Sequence, residues 1–341
     1  MKLNIHGVGH SKTKKPISQK IYDLRIAAFR RGGLGDGLIE SAIIGSLRKH
    51  FPNSHITAYA DTSFLPILSR NLNCNTIVPV EWKRGLITEV DVRNHYVDLH
   101  DIWFDVKPLQ YLEGKRSGEF ITQNIKNKLS DIETRYYWFN GPELISFYEE
   151  MEVIGQTELF EKVFGIPSNM SDAYLLEEEI NIELPEKYAV ISAGWTDTSF
   201  YKAWKQEKWE EISSYLNKYG ICPVQIGKSS ESIIKGSITA THLSLNQQYT
   251  VIKNSMMHLG SDGFFSHVAA KYNKPSIVLW GMTPWQIWGH RNQSNVISPK
   301  FECLWWTHYN WAHDGKCPEI MDAIEIEMVK EKIETLLSEV K

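Results

Sequence analysis

Phe29-Arg30-Arg31-Gly32-Gly33-Leu34-Gly35-Asp36-Gly37 follows an apolar run over residues 24–29 and opens a helical pattern over 38–48. A strand, a tight glycine turn and a helix start succeed one another, and the same order recurs in the second half. There Leu259-Gly260-Ser261-Asp262-Gly263-Phe264-Phe265-Ser266-His267 opens a helix over 268–272 and leads to a strand over 275–280. The first N–H groups of a helix lack partners and the helix dipole is positive there, so an anion is favoured. Two such turns facing each other predict a cleft that handles a phosphorylated ligand.

Working outward from the first turn, the strand over 22–29 and the helix ending at His50 are stopped by Phe51-Pro52, because proline lacks the N–H and restrains the residue before it. Residues 55–59 read as a second strand, 64–72 as a helix and 76–80 as a third strand. Such alternation predicts parallel strands joined by helical crossovers. Between 81 and 167 the pattern loosens, with a strand expected over 95–100, a helix over 142–154 and no assignment for 115–139. Residues 164–185, acidic at Glu177-Glu178-Glu179, read as a linker. A second alternation follows: strand 188–192, helix 208–219, strand 222–226, strand 257–259, the second glycine turn, strand 276–280 and a closing amphipathic helix from about 323 to 340.

The domain reading is therefore 1–165, a linker at 166–185, and 186–341, both domains α/β and doubly wound. A chain of 341 residues is long enough for two cores. Its net charge of −4 carries no general affinity for nucleic acid. Four cysteines are too few for a disulfide scaffold and fit a reducing cytosol. The first residues lack a signal-peptide h-region, and no apolar run reaches the roughly 18 residues of a membrane span. A soluble, cytoplasmic protein is expected. The lysine-rich stretch over 10–16 is a solvated loop or a contact to an anionic acceptor or lipid headgroups. Trp is concentrated late, at 280, 285, 288, 305, 306 and 311, which suits either core packing or stacking on sugars.

Some residues carry chemistry by type and place. Asp36 at the end of a glycine turn suits a general base that takes a proton from an attacking hydroxyl, or equally a helix N-cap. Ser192-Ala193-Gly194-Trp195-Thr196, followed by Lys202-Ala203-Trp204, is a strand end, a small turn, a hydroxyl and a lysine. Thr196 and Lys202 in that order suit a diphosphate, with Lys202 stabilising a departing anion. Asp262 and Gly263 stand at a helix start, with His267 about one turn in, facing core or cleft.

Gly33-Leu34-Gly35-Asp36 before a helix, Lys202-Ala203-Trp204, and Asp262-x4-His267-Val268-Ala269-Ala270 before Lys274-Pro275-Ser276-Ile277-Val278-Leu279-Trp280-Gly281 resemble the lipopolysaccharide heptosyltransferase family. The resemblance covers most of 22–80 and 186–335. It implies the GT-B architecture of two Rossmann-like domains around a central cleft, and inverting transfer from a nucleotide-diphospho-sugar without a required metal or other cofactor. ADP-heptose is the donor it favours, and the acceptor is a hydroxyl of a glycan, a lipopolysaccharide core or a protein, with peripheral contact at the inner membrane surface. By the same implication Asp36 is the base, Gly33 and Gly35 lie on the acceptor side, and Thr196 and Lys202 face the donor diphosphate. Gly194, Asp262, Gly263 and His267 line the donor pocket, and Gly227 and Glu231 approach the nucleoside. Where the family reads Asp-Thr-Gly-x-x-His, this chain has Asp262-Gly263-Phe264-Phe265-Ser266-His267, which moves the hydroxyl and leaves the donor sugar open.

Cys303, His308, His313 and Cys317 form one more cluster, able to complete a tetrahedral zinc site although the spacing matches no familiar finger. Free thiols in an aromatic loop are the alternative. Two other functions fit the same scaffold. A dinucleotide-dependent oxidoreductase shares the strand-turn-helix unit, but Gly33-x-Gly35-x-Gly37 is out of register for its fingerprint. A catalytically silent sugar- or nucleotide-binding protein is the other, since fold does not fix function.

Overall fold

The computed structural model describes residues 24–30, 32–80, 102–105, 141–194, 200–301 and 317–339. The expected strand over 95–100 and the segment 115–139 lie outside these. The chain divides into two compact units, Met1–Tyr136 with Phe160–Tyr174, and Tyr137–Leu159 with Leu175–Lys341.

In the first unit β1 (Arg25–Arg30) leads to α1 (Leu34–His50), then β2 (His55–Asp61), a single 3-10 turn at Thr62–Phe64, α2 (Leu65–Leu68), β3 (Thr76–Val80) and β4 (Ile102–Asp105). The strands form one parallel sheet in the order β3-β2-β1-β4. Ile26, Ala27, Ala28, Ile56, Ala58 and Ala60 are fully buried, the unbroken apolar run expected of parallel strands covered on both faces. α1 is buried at every position from Gly37 to Leu47. It begins four residues before the expected start, which places Asp36 inside its first turn. α2 is shorter than the expected 64–72. The chain turns away at Asn71, whose amide donates to Ser41 Oγ (3.0 Å) and accepts from the Asn73 N–H (2.9 Å).

α3 (Gly141–Glu150) and α4 (Gly155–Phe164) follow, the unit boundary falling within α4. The second unit continues with β5 (Tyr188–Ser192), a 3-10 turn at Phe200–Lys202, α5 (Gln206–Lys218), β6 (Cys222–Gln225), β7 (Ile238–Thr239) and α6 (Leu245–Asn254). β8 (Met257–Ser261), α7 (Phe264–Lys271), β9 (Ser276–Trp280), α8 (Trp285–Trp288), β10 (Gln293–Ile297), α9 (Cys317–Asp322) and α10 (Ile326–Glu339) complete it. The sheet is parallel throughout, ordered β10-β9-β8-β5-β6-β7. Counted from β5, that is the 3-2-1-4-5-6 order of a doubly wound Rossmann unit, and the first unit holds the 3-2-1-4 part of it.

Helices α5 and α10 cover one face through Trp209, Ile212 and Leu216, and through Val329, Ile333 and Leu336, spaced three and four residues apart. The acidic run at 177–179 is consumed by packing within this unit. Glu178 accepts from Ser244 Oγ (2.9 Å) and Asn246 (2.8 Å), while Glu177 pairs with Lys253 (2.6 Å). Trp280, a candidate for sugar stacking, is fully buried and donates from Nε1 to Asn295 (2.7 Å), so it belongs to the core.

Candidate functional site

In doubly wound sheets ligands gather beyond the C-terminal strand ends where the winding reverses. Those places are the end of β1 in the first unit and the gap between β5 and β8 in the second. The two glycine turns occupy them.

At the first, β1 ends in Arg30, whose side chain is fully buried, and Asp36 is the third residue of α1. Arg30 donates to Asp36 Oδ1 from Nε (3.1 Å) and from Nη2 (2.6 Å). The other oxygen, Oδ2, accepts the Gly33 N–H at 2.9 Å. Gly33 is the N-cap, so neither reading of Asp36 as the cap residue itself nor as the last residue before the helix describes it. Gly32 holds φ at +140°, and any Cβ there would overlap the Asp36 carboxylate, so the turn requires glycine. One expectation is corrected here. The positive end of α1 is already answered by the chain's own carboxylate, so a phosphate arriving at this turn would meet a negative charge. Gly33 is exposed and Gly35 half-buried at the same turn.

At the second, Asp262 follows β8 and Gly263 is the N-cap of α7, which carries no side-chain cap. Lys202 Nζ donates to Asp262 Oδ2 at 2.6 Å, while the Asp262 N–H is spent on Leu279 O (3.1 Å). Trp204 anchors the lysine's turn. It is buried edge-on against Trp209 at 4.9 Å between centroids, and its Nε1 donates to Ile324 O (3.1 Å). The start of α7, with no side-chain cap, stands beside the Lys202–Asp262 pair. Behind them the ring of His258 bridges Ser192 Oγ and Ser276 Oγ, each at 2.8 Å, tying β5 to β9 across β8. Burial pushes His258 down to about 3, so it is a neutral brace. His267 is buried in α7 and bonded through Nδ1 to His290 Nε2 at 2.8 Å.

The loop after β6 brings Gly227 and Glu231 to Gly194. A Cβ at either Gly194 or Gly227 would overlap the Glu231 carboxylate, and Gly227 holds φ at +139°. Glu231 Oε1 accepts the Lys228 N–H (2.8 Å), and Oε2 is buried with no partner among the described residues. Burial pushes this carboxyl above the ordinary carboxylate range against the opposing pull of the Lys228 N–H and charge. A buried acceptor without a donor is costly, and a ligand hydroxyl would satisfy it. Gln248 pins the loop, accepting from the Gly227 N–H (3.0 Å) and donating to Gly227 O (3.0 Å) and Leu243 O (2.9 Å).

The structure thus gathers Gly194, Gly227 and Glu231 into one cluster and Lys202, Asp262 and Gly263 into another. Thr196, Cys303, His308 and His313 lie outside the described residues, as does the side chain of Cys317. Among the described residues no group of three or more His, Cys, Asp or Glu is placed to hold a metal ion. Sequence reasoning missed Arg30, Gly32, Gln248 and His290. A charged residue ending a buried strand just before a glycine turn was a signal for Arg30. A glutamine or histidine that becomes buried through distant packing leaves none.

Comparison with known proteins bears on what this arrangement is for. A family model, glycosyltransferase family 9 (heptosyltransferase), matches residues 133–322. Lipopolysaccharide heptosyltransferase 3 of Escherichia coli is 21% identical over 295 residues, covering 75% of this chain and 84% of that one. The E. coli heptosyltransferase WaaC, solved with ADP-2-deoxy-2-fluoro heptose, superposes with a TM-score of 0.55 at 16% identity, covering 91% of this chain and 99% of that one. The iron-containing dodecameric glycosyltransferase TibC of enterotoxigenic E. coli gives a TM-score of 0.57 at 13% identity, covering 93% and 77%. No described helix is long and apolar enough to cross a membrane. The fold is GT-B with two Rossmann-like units, and the chain belongs to glycosyltransferase family 9, the heptosyltransferase family, as a glycosyltransferase.

Proposed function

We propose that the protein moves heptose from ADP-heptose, with inversion, to a hydroxyl of a lipopolysaccharide core or related glycan. The observation that carries this reading is the Lys202–Asp262 pair beside the uncapped start of α7, at the switch point of the second sheet. Family membership supplies the reaction, and WaaC's ADP-heptose analogue supports the donor.

In this reading the second unit binds the donor. Lys202 and the first N–H groups of α7 meet the diphosphate, with Thr196 adding a hydroxyl donor. The unpartnered Oε2 of Glu231 accepts a hydroxyl of the ribose. Asp262 keeps Lys202 extended toward the phosphates. The first unit supplies the base. Asp36, held by Arg30 and the Gly33 N–H, takes the proton of the acceptor hydroxyl as its oxygen bonds to the anomeric carbon. The bond from that carbon to the diphosphate breaks through an oxocarbenium-like state, and ADP leaves with the electron pair. Positive charge from Lys202 and α7 is what the leaving group requires, so no metal is needed for this step. A glycolipid acceptor would be met from the cytoplasm at the inner membrane surface.

The test is transfer itself. Purified protein is incubated with ADP-heptose and a heptose-deficient core acceptor, with and without EDTA, following ADP release and the anomeric configuration of the product. Acceptor-dependent ADP release with inversion, unaffected by EDTA, is expected. Donor binding without turnover would replace the reading with a silent binding protein. Turnover with UDP- or GDP-sugars alone would keep the transferase and discard heptose.

A further inference from the structure

Phe264 stands where the family motif Asp-Thr-Gly-x-x-His has glycine, and it takes no part in the steps assigned to Asp36, Lys202 and Asp262. It is the first residue of α7, two residues past Asp262, and it is half-buried. Two other rings fix its orientation. Tyr249 of α6, itself buried, lies 6.0 Å away between centroids with the planes at 59°. Phe265 lies 5.1 Å away at 57°. Both separations fall in the range where tilted aromatic pairs attract. A ring held by other rings on one side and open on the rest is a platform for a planar ligand group.

Topology decides which part of a ligand meets that platform. α6 joins β7 to β8 and α7 joins β8 to β9. Right-handed crossovers in that direction put both helices on one sheet face, with α6 over the β5–β6 side. Phe264 leans on α6, so its ring lies on that side of the α7 start, toward the loop after β6. The same helix grips that loop. Gln248, next to Tyr249 in the chain, accepts from the Gly227 N–H and donates to Gly227 O, each at 3.0 Å. Glu231 packs against Gly227 on the same loop. Phe264 is thereby set on the nucleoside side of the diphosphate position. In a β-ribonucleotide the base and the 5′-phosphate leave one face of the ribose, and the two hydroxyls lie on the other. With the hydroxyls on Glu231 and the phosphates at α7, the base projects toward the α6–α7 side, where the Phe264 ring is open.

We propose that Phe264 is a specificity-determining residue for the donor, the ring on which its purine base stacks. This rests on the reading of the second unit as the donor-binding one. Phe264→Leu keeps the apolar bulk and removes the π face, whereas Phe264→Tyr keeps the ring.

Two measurements on the full-length protein test it. The first is calorimetric titration of wild type and both variants with ADP and UDP, with inorganic pyrophosphate read by displacement of ADP and the melting temperature recorded for each protein. Phe264→Leu should raise the Kd for ADP by about tenfold, within the range of one lost base–aromatic stack, and that for pyrophosphate by less than about twofold. Its preference for ADP over UDP should shrink, since a purine offers the larger stacking surface. Phe264→Tyr should bind ADP within about threefold of wild type. The second measurement is the nuclear Overhauser effect between ring-protonated phenylalanine in deuterated protein and bound ADP. Contacts to adenine H2 or H8 that vanish in Phe264→Leu are expected. Their absence in the wild type would overturn the proposal without touching the donor-binding reading. So would an unchanged ADP Kd in a folded Phe264→Leu protein, or ADP and pyrophosphate weakening in step, as a purely structural role requires. Failure of the wild type to bind ADP at all would overturn the donor reading and the role of Phe264 with it.

Discussion

The two glycine turns look alike as sequence and end up as opposite devices. At the first, the aspartate lies within the helix, takes the N–H of its cap and is gripped by a fully buried arginine. At the second, the aspartate lies before the helix, spends its N–H on β9 and grips a lysine, so that the helix start is left uncapped. A shift of four helical positions in one carboxylate separates the two turns. In the proposed reading the first presents an oriented acceptor for a proton, and the second presents positive charge for a diphosphate.

That contrast can be broken most severely at Asp36. Asp36→Asn keeps the size and, through its one amide oxygen, the Arg30 contact, but removes the base and the acceptor of the Gly33 N–H, and kcat should fall by about 10²–10⁴-fold. Steady-state transfer rates at saturating donor and acceptor check this. At the other turn Lys202→Met should lower kcat by about 10²–10³-fold, as for loss of one charge-stabilising donor, and should weaken nucleotide binding as well. Comparing kcat and KM for the donor in both variants separates the two roles.

Smaller changes sharpen the picture. Gly32→Ala puts a side chain at φ +140° against the Asp36 carboxylate and should cost about 1–3 kcal/mol in urea melts while lowering kcat. Stability should also depend on pH through the second unit. The folded-state value of His258 is about 3 against an ordinary 6.5, so the unfolded chain binds the proton more readily below pH 6.5. Stability is then complete above that pH and falls as pH drops toward 3, by about 2 kcal/mol between pH 7.5 and 5 from this residue. His290 acts in the same direction. Melts at the two pH values, repeated with His258→Gln, should show a shallower loss in the variant. The smallest effect belongs to Gly33→Ala, whose φ is −94° and whose Cβ would meet nothing within 4 Å; less than about 1 kcal/mol is expected.

Legibility in the sequence followed local pattern. β3, β5 and β9 stand where β-rich apolar runs predict them, and the register of glycine turn to helix is correct to a few residues. α6 escaped notice because its face is polar, Leu245-Asn246-Gln247-Gln248, although Ser244 and Gln247 form a reciprocal cap that a capping-box search would have found. β10 and β7 are edge strands, and the first is polar at Gln293, Ser294 and Asn295, so no apolar run marks it. Residue types at the site were readable as chemistry. Their pairing was not, because Arg30 with Asp36, Lys202 with Asp262 and His267 with His290 are decided by folding over distances of 6, 60 and 23 residues.

The division of labour between the turns is tested most directly by titrating ADP into Asp36→Asn and Lys202→Met side by side. The account predicts that Asp36→Asn binds ADP as the wild type does while failing to transfer, and that Lys202→Met binds it at least tenfold more weakly, about 1.4 kcal/mol. Equal binding by Lys202→Met and wild type, or loss of binding in Asp36→Asn, would contradict it.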